Sequence, residues 1–242
     1  MASTITLERT VKYIQRFIRN APLTLVNDGD PAFLSADWVR QFILAPPFAW
    51  RWNRAYVSPV TCTIGVADYK VKLPDFGWIE KAWLNFPIVN GQPGQSIELE
   101  VEMVVAGDQL VNQPTRITAN LDDDNGNITF RLFPAPDQAY VLNIIYQKAA
   151  PKFDSLTETW YPLPDYMSYI YTQGMKALAY EYIDEEKYAF AFQMFLRQVT
   201  AANDGLTETE KNIFLSHQMI TQAEQQNTMG TAQIARSARA GS

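Results

Sequence analysis

The hydrophobic period of this chain changes twice, and that change limits its fold more than any other feature. Near the N-terminus Ile5, Val11, Ile14, Phe17 and Ile18 recur at helical spacing, with Arg9, Lys12, Arg16 and Arg19 between them. From about residue 48 the period drops to two. In "SIELEVEMVV" Ile97, Leu99, Val101 and Met103 point one way and Glu98, Glu100 and Glu102 the other, the alternation of a strand with one packed face. From about residue 160 the helical period returns. A chain that reads helix, strands, helix predicts an α+β protein.

Each zone carries its own start and stop signals. An amphipathic helix is expected over residues 4–20, packed on a core rather than on a membrane surface. Ser35 is expected to cap a short helix from Ala36 to Leu44, ended by Pro46 and Pro47. In "FAWRWNRAYV" Phe48, Trp50 and Trp52 alternate with Arg51 and Asn53, which predicts a strand. Asn125-Gly126 favours a type I′ hairpin. "AYVLNIIY" is apolar on both faces and reads as a central strand. Six to eight antiparallel strands are implied, enough for a small sandwich or barrel.

The stretch from Trp160 to Phe195 holds eleven Tyr, Phe and Trp in 36 residues. Their spacing predicts two packed helices rather than an aromatic ligand cage. Asp165 is expected to cap residues 166–183, and Asp184 the next helix. Met167, Ile170, Tyr171, Gly174, Leu178 and Tyr182 fall near one stripe, and Tyr188, Phe192, Phe195 and Val199 on a second. Tyr171, Leu178, Tyr182, Tyr188, Phe192 and Phe195 are the expected helical-core residues. Gly174 and Ala177 would let the helices approach closely. Thr207 with Glu210 forms a capping box for a third helix, about residues 208–225. The small, polar sequence beyond it predicts a flexible tail.

Catalytic chemistry finds little support. One cysteine, Cys62, and one histidine, His217, allow no internal disulfide and too few ligands for a Cys/His zinc cluster. With Asn120 as position 1, "NLDDDNGN" places Asn125 and Arg131 where a calcium loop needs Gly and Glu. Glu98, Glu100 and Glu102 recur every ~7 Å along one strand face, the pattern of a solvated face rather than of a catalytic pair. No phosphate-binding glycine loop is present. No enzyme activity, cofactor or metal is expected. The net charge of −6 is uneven: residues 1–60 carry +3, 61–150 −5, 151–205 −4 and 206–242 zero. An acidic body argues against tight nonspecific DNA binding. Without a signal sequence or a long apolar run, the chain is expected to be soluble and made in the cytoplasm, with no membrane partner.

The order of elements resembles a group of bacteriophage head-to-tail adaptor (neck, or connector) proteins. The resemblance is carried by "ADWVRQFILAPPFAWRWNR", "YKVKLPDFGWIEKAWL", "DNGNITFRLFPAPDQAYVLNIIYQKAAP" and "WYPLPDYMSYIYTQGMKALAYEYIDEEKYAFAFQMFLRQV". It implies a helical bundle built from the N- and C-terminal segments, residues 1–46 and 160–226, as a discontinuous adaptor core. An antiparallel β-sandwich or barrel-like domain, residues 47–150, would be inserted in it, and residues 227–242 would form the tail. It also implies a virion neck protein: a homo-oligomeric ring of about twelve copies under the portal protein. That ring would extend the channel through which double-stranded DNA passes without sequence-specific binding, and would dock tail or nozzle proteins. By position, Ile220, Met229, Gln233, Ile234, Arg236 and Arg239 would face the portal.

Two other readings compete. One is a glycan-binding β-sandwich module of a phage tail, with Trp50, Trp52, Trp78 and Trp83 as a stacking platform. The other is a hydrolase using Glu98, Glu100 and Glu102.

Overall fold

The computed structural model describes residues 3–18, 31–87, 94–102, 110–122, 125–181, 183, 185–213 and 215–216. Helix α1 spans Leu7–Phe17 and is capped by Thr6, whose hydroxyl accepts from the Arg9 amide at 3.3 Å. Its apolar stripe, Leu7, Val11, Ile14 and then Ile18, is buried. Helix α2 spans Pro31–Leu44, longer than the sequence predicts. Proline suits a first helical position, where its missing amide costs nothing. Ser35 is therefore not a cap but a buried residue inside the helix.

Among the described residues eight strands follow: β1 (Arg54–Tyr56), β2 (Val60–Thr61), β3 (Asp68–Lys72), β4 (Phe76–Asn85), β5 (Ser96–Val101), β6 (Arg116–Leu121), β7 (Asn127–Phe133) and β8 (Val141–Lys148). The tryptophan-rich segment departs from its strand prediction. Residues Arg51–Asn53 form a 3-10 turn, and only Arg54–Tyr56 pair as a strand. A second 3-10 turn, Asp165–Met167, leads into α3 (Ser168–Glu181), and α4 spans Glu185–Ala202. Residues 208–213 and 215–216 are also helical.

The strands form one sheet in the order β1-β8-β4-β5-β6-β7-β3, with β2 also on β8. This corrects the expected architecture. The protein is a mixed eight-stranded sheet curled into a half-barrel with few helices, not a helical bundle carrying an antiparallel sandwich. The reason lies in β5. It pairs antiparallel with β4 on one side and parallel with β6 on the other, through Glu100↔Arg116 and Val101↔Ile117. Strands that could have made a second, facing sheet are thus hydrogen-bonded to the first. Alternation specifies which residues point inward, but not the direction of the neighbour.

The concave face is filled by Leu99, Ile117, Ile128, Phe130, Leu142 and Ile144, among others. A register shift between Ile79 and Lys81 lets both Ile79 and Ala82 reach this core from β4, as a bulge does. Strand β8 is paired on both sides. The β6–β7 hairpin turns at Gly126, whose φ of +77° and closeness to Pro74 exclude a β-carbon.

The helices pack around a second core. It joins Leu7, Val11 and Ile14 of α1 to Val39 and Ile43 of α2, and to Ile170, Tyr171 and Phe195 of α3 and α4. A β-carbon on Gly174 would lie 2.9 Å from the Phe195 ring and the Val39 methyls, so α2, α3 and α4 meet at this residue. Arg40, 2% exposed, closes the layer. It lies 3.7 Å over the Phe153 ring and donates to the carbonyls of Pro151 and Tyr161 and to Asp37. Trp50 donates to Ile43 O at 2.7 Å, Trp78 to Leu44 O at 2.9 Å, and Gln147 to Trp50 O at 3.1 Å. These three bonds tie the helical core to the sheet.

Two substitutions test this packing. Gly174→Val is expected to cost about 2 kcal/mol or more through overpacking. Arg40→Leu, which strands two carbonyls and a carboxylate, is expected to cost about 3 kcal/mol. Thermal and denaturant midpoints check both.

Candidate functional site

Helices α1 and α3 are positioned by a clasp that the sequence did not suggest. Asp165, the predicted helix cap, makes no capping bond; Pro164 holds that place. Its carboxylate instead accepts from the Thr4 hydroxyl at 2.6 Å and the Thr4 amide at 2.8 Å. The Ile5 amide and the Ser3 hydroxyl each donate to it at 3.2 Å. The Thr4 hydroxyl and then its amide hold the Asp165 pKa below the ordinary carboxylate value. The stitching continues through Leu7 N to Glu158 O at 2.9 Å and Glu8 N to Leu156 O at 3.0 Å. Trp160 donates its indole N–H to Thr10 at 2.9 Å and stacks on Tyr171 at 4.3 Å between centroids.

With α1 fixed in this way, a groove opens between α1, α3 and α4. Its first hollow, ≈400 Å³, is lined by residues including Arg9, Tyr13, Tyr169, Gln173, Lys176 and Gln198. A second, ≈500 Å³, shares Gln173 and Lys176 and continues to Tyr180, Lys187 and Phe190. Lys176 Nζ stands 5.3 Å from the centre of the Tyr13 ring. No carboxylate lines either hollow among the described residues. Tyr169 and Phe190 are 52% and 68% exposed, so the groove joins cations to uncovered aromatic faces. Its chemistry is that of a binding surface.

A family model described as SU10 adaptor protein matches residues 13–216. The chain belongs to the SU10 adaptor family. This is a family of bacteriophage head-to-tail adaptors with a structural role. The match takes in all eight strands and helices α2 to α4. No curated protein matches the chain.

The adaptor's aromatic residues divide between core and surface. Tyr171 and Phe195 are fully buried and Leu178 is buried. Burial raises the Tyr171 hydroxyl's pKa. Tyr188 and Phe192 are half-buried and stack at 5.6 Å. Phe192 and Phe195 also meet Trp38 and Phe42 of α2. Tyr182 and the six residues expected at the portal, Ile220, Met229, Gln233, Ile234, Arg236 and Arg239, lie outside the described residues. So do Met103, Asp123, Asp124, Asp184, His217 and the tail.

The competing sites are not assembled. Trp50 is buried and Trp78 spends its N–H on Leu44 O; Trp52 packs on Trp50 at 5.6 Å. Trp83 lines an open hollow with Lys81, Ser96, Glu98 and Ile145. Glu98 pairs with Lys81 at 3.0 Å and Glu102 with Arg116 at 3.4 Å. Glu100 is exposed between them. Among the described residues no group of three or more His, Cys, Asp or Glu is placed to hold a metal ion. None of the described helices is long and apolar enough to cross a membrane.

The clasp makes a pH prediction. A carboxylate whose folded pKa is depressed stabilises the fold above its unfolded pKa, near 4. That contribution is lost as pH falls through the folded value. Asp165→Asn is therefore expected to lower the denaturation midpoint at pH 7. The gap to the parent should narrow as the pH drops below 4, and a gap independent of pH would contradict it.

Proposed function

We propose that this adaptor works as a ring of about twelve copies beneath the portal. In this reading it extends the DNA channel and offers the tail or nozzle proteins their docking surface. The observation that carries the reading is the family match across residues 13–216. The molecule's surface chemistry supports it. The basic and aromatic groove suits a protein contact, and a net charge of −6 suits a channel past which DNA moves without being held. The segments divide the work. Residues 1–46 and 160–226 build the ring, residues 47–150 form its β part, and residues 227–242 reach the portal. The adaptor sits in the virion neck.

The glycan-binding reading has weaker support. A stacking platform needs several open indole faces, and three of its four tryptophans are occupied by the core or by backbone bonds.

Native mass spectrometry of the chain mixed with the portal ring from the same genome tests the proposal. A stoichiometric complex is expected; folded chain and intact portal that stay apart would sink it. Deleting residues 227–242 is expected to weaken portal binding on the order of tenfold or more, with the thermal midpoint unchanged.

A further inference from the structure

Three loops meet at the end of the half-barrel where β8 begins. Backbone bonds stitch them together. Gly65 N donates to Pro136 O and Ala135 N to Leu110 O, both at 2.8 Å, and Asn112 N donates to Ala135 O at 2.9 Å. Cys62 N donates to Tyr140 O at 2.7 Å, just ahead of β8. The tip formed in this way presents Ile64, Val66, Leu110 and Val111, which are 61%, 40%, 63% and 53% exposed. Residues 63–66, 110–115 and 133–136 contain no charged side chain.

An exposed aliphatic cluster of this kind marks an interaction site. Its chemistry narrows the partner. DNA and an anionic membrane surface would each call for cations beside it, and sugar rings for aromatic faces. What remains is an apolar protein surface. Because backbone bonds already hold the loops, covering them costs little further ordering.

The same chain carries a surface that fits. On α2, Leu34 and Trp38 lie one turn apart and are 57% and 40% exposed. Trp38 stacks on Phe42 at 5.1 Å and meets Phe192 of α4 at 5.9 Å. Phe192 stacks in turn on Tyr188. A ridge therefore runs across α2 and α4, rich in the aromatic side chains that interface centres favour. The tip does not cover this ridge in its own copy, since both stay exposed. The helical layer joins the sheet at the far end of β8, where Gln147 donates to Trp50 O. That is about 20 Å from the first residue of β8 at the rise of a strand.

We propose that the tip of one adaptor copy packs on the α2–α4 ridge of the next. This rests on the ring reading above and supplies its subunit contact. Ile64 and Leu110 cover Leu34 and Trp38, and the tip brings no charge that the contact would bury. Tip and ridge are different surfaces of the same chain. The contact is therefore heterologous and repeats head to tail, the geometry from which rings close. Each copy then makes it twice, once with its tip and once with its ridge.

Cysteine crosslinking tests this directly, because the native Cys62 is buried and does not compete. Two double variants, Leu34→Cys/Leu110→Cys and Leu34→Cys/Ile64→Cys, change exposed positions only. Each is assembled on the portal ring, checked by native mass spectrometry, treated with a short bis-maleimide and run on a denaturing gel. A ladder of covalent multimers with either variant is expected, and loss of the ladder when Leu34 is left unchanged. Intact rings that run as monomers with both variants would overturn the contact and leave the ring reading standing. Covalent dimers from Leu110→Cys alone would overturn it too, by placing tip against tip. Folded parent chain that forms no ring would overturn the ring reading, and the contact with it.

Discussion

A buried cation holds the helical layer together. Arg40 sits on α2, in the first fifth of the chain, yet every group it binds apart from Asp37 comes from residues 151–161. Burial lowers its pKa from the usual guanidinium value, while Asp37, Glu158 and Asp154 push the other way. Isolated burial of such a charge would cost several kcal/mol. Here two carbonyls, a carboxylate and an aromatic face offset that cost. Asp37 also accepts from the Phe153 amide at 2.9 Å, so the anion fixes the ring on which the cation lies. The segment leaving β8 is thereby set against α2. Trp160 then reaches Thr10 of α1 and Tyr171 of α3, and the groove walls follow from those placements.

The same economy governs the join between helices and sheet. Trp50 is at once a core residue and a link. Its indole N–H is used by Ile43 of α2, and its carbonyl accepts from Gln147 of β8. Gln147 also donates to Glu80 at 2.6 Å, and Glu80 is paired with Arg54. A run of polar side chains thus crosses from one apolar core to the other with nearly all of its partners inside the protein. Such a network orients the two cores because its bonds, unlike apolar contact, are directional.

How much of this was legible in the sequence depended on the range of the interaction. Some short-range signals read correctly, although Ser35 is no cap and Arg51–Asn53 is a 3-10 turn rather than strand. Thr207 and Glu210 form their capping box, α3 and α4 pack through Gly174, and "AYVLNIIY" from its Val141 onward lies in β8, paired on both sides. Long-range choices did not. The parallel pairing of β5 with β6 leaves no mark on either strand's alternation, and it alone turns a presumed sandwich into a half-barrel. Asp165 looked like a cap because it follows a proline, but amides about 160 residues away took its carboxylate. No sequence signal singled out Arg40. Nothing local announces that three backbone and side-chain acceptors will converge on it. The groove was invisible for the same reason: its walls come from residues 5–13, 168–180 and 187–198.

The stitching of Thr4 to Glu8 onto residues 156–165 also has a consequence in time. A ribosome adds about 5–20 residues per second, so α1 emerges on the order of ten seconds before the segment that covers it. Throughout that interval Leu7, Val11 and Ile14 have no α3 to pack against, while the strands between are already being delivered. The half-barrel is thus free to form first, and the helical layer closes over it only when α4 has left the ribosome. The apolar stripe of this segment therefore waits uncovered for most of the chain's synthesis, with Arg9, Lys12 and Arg16 on its other positions.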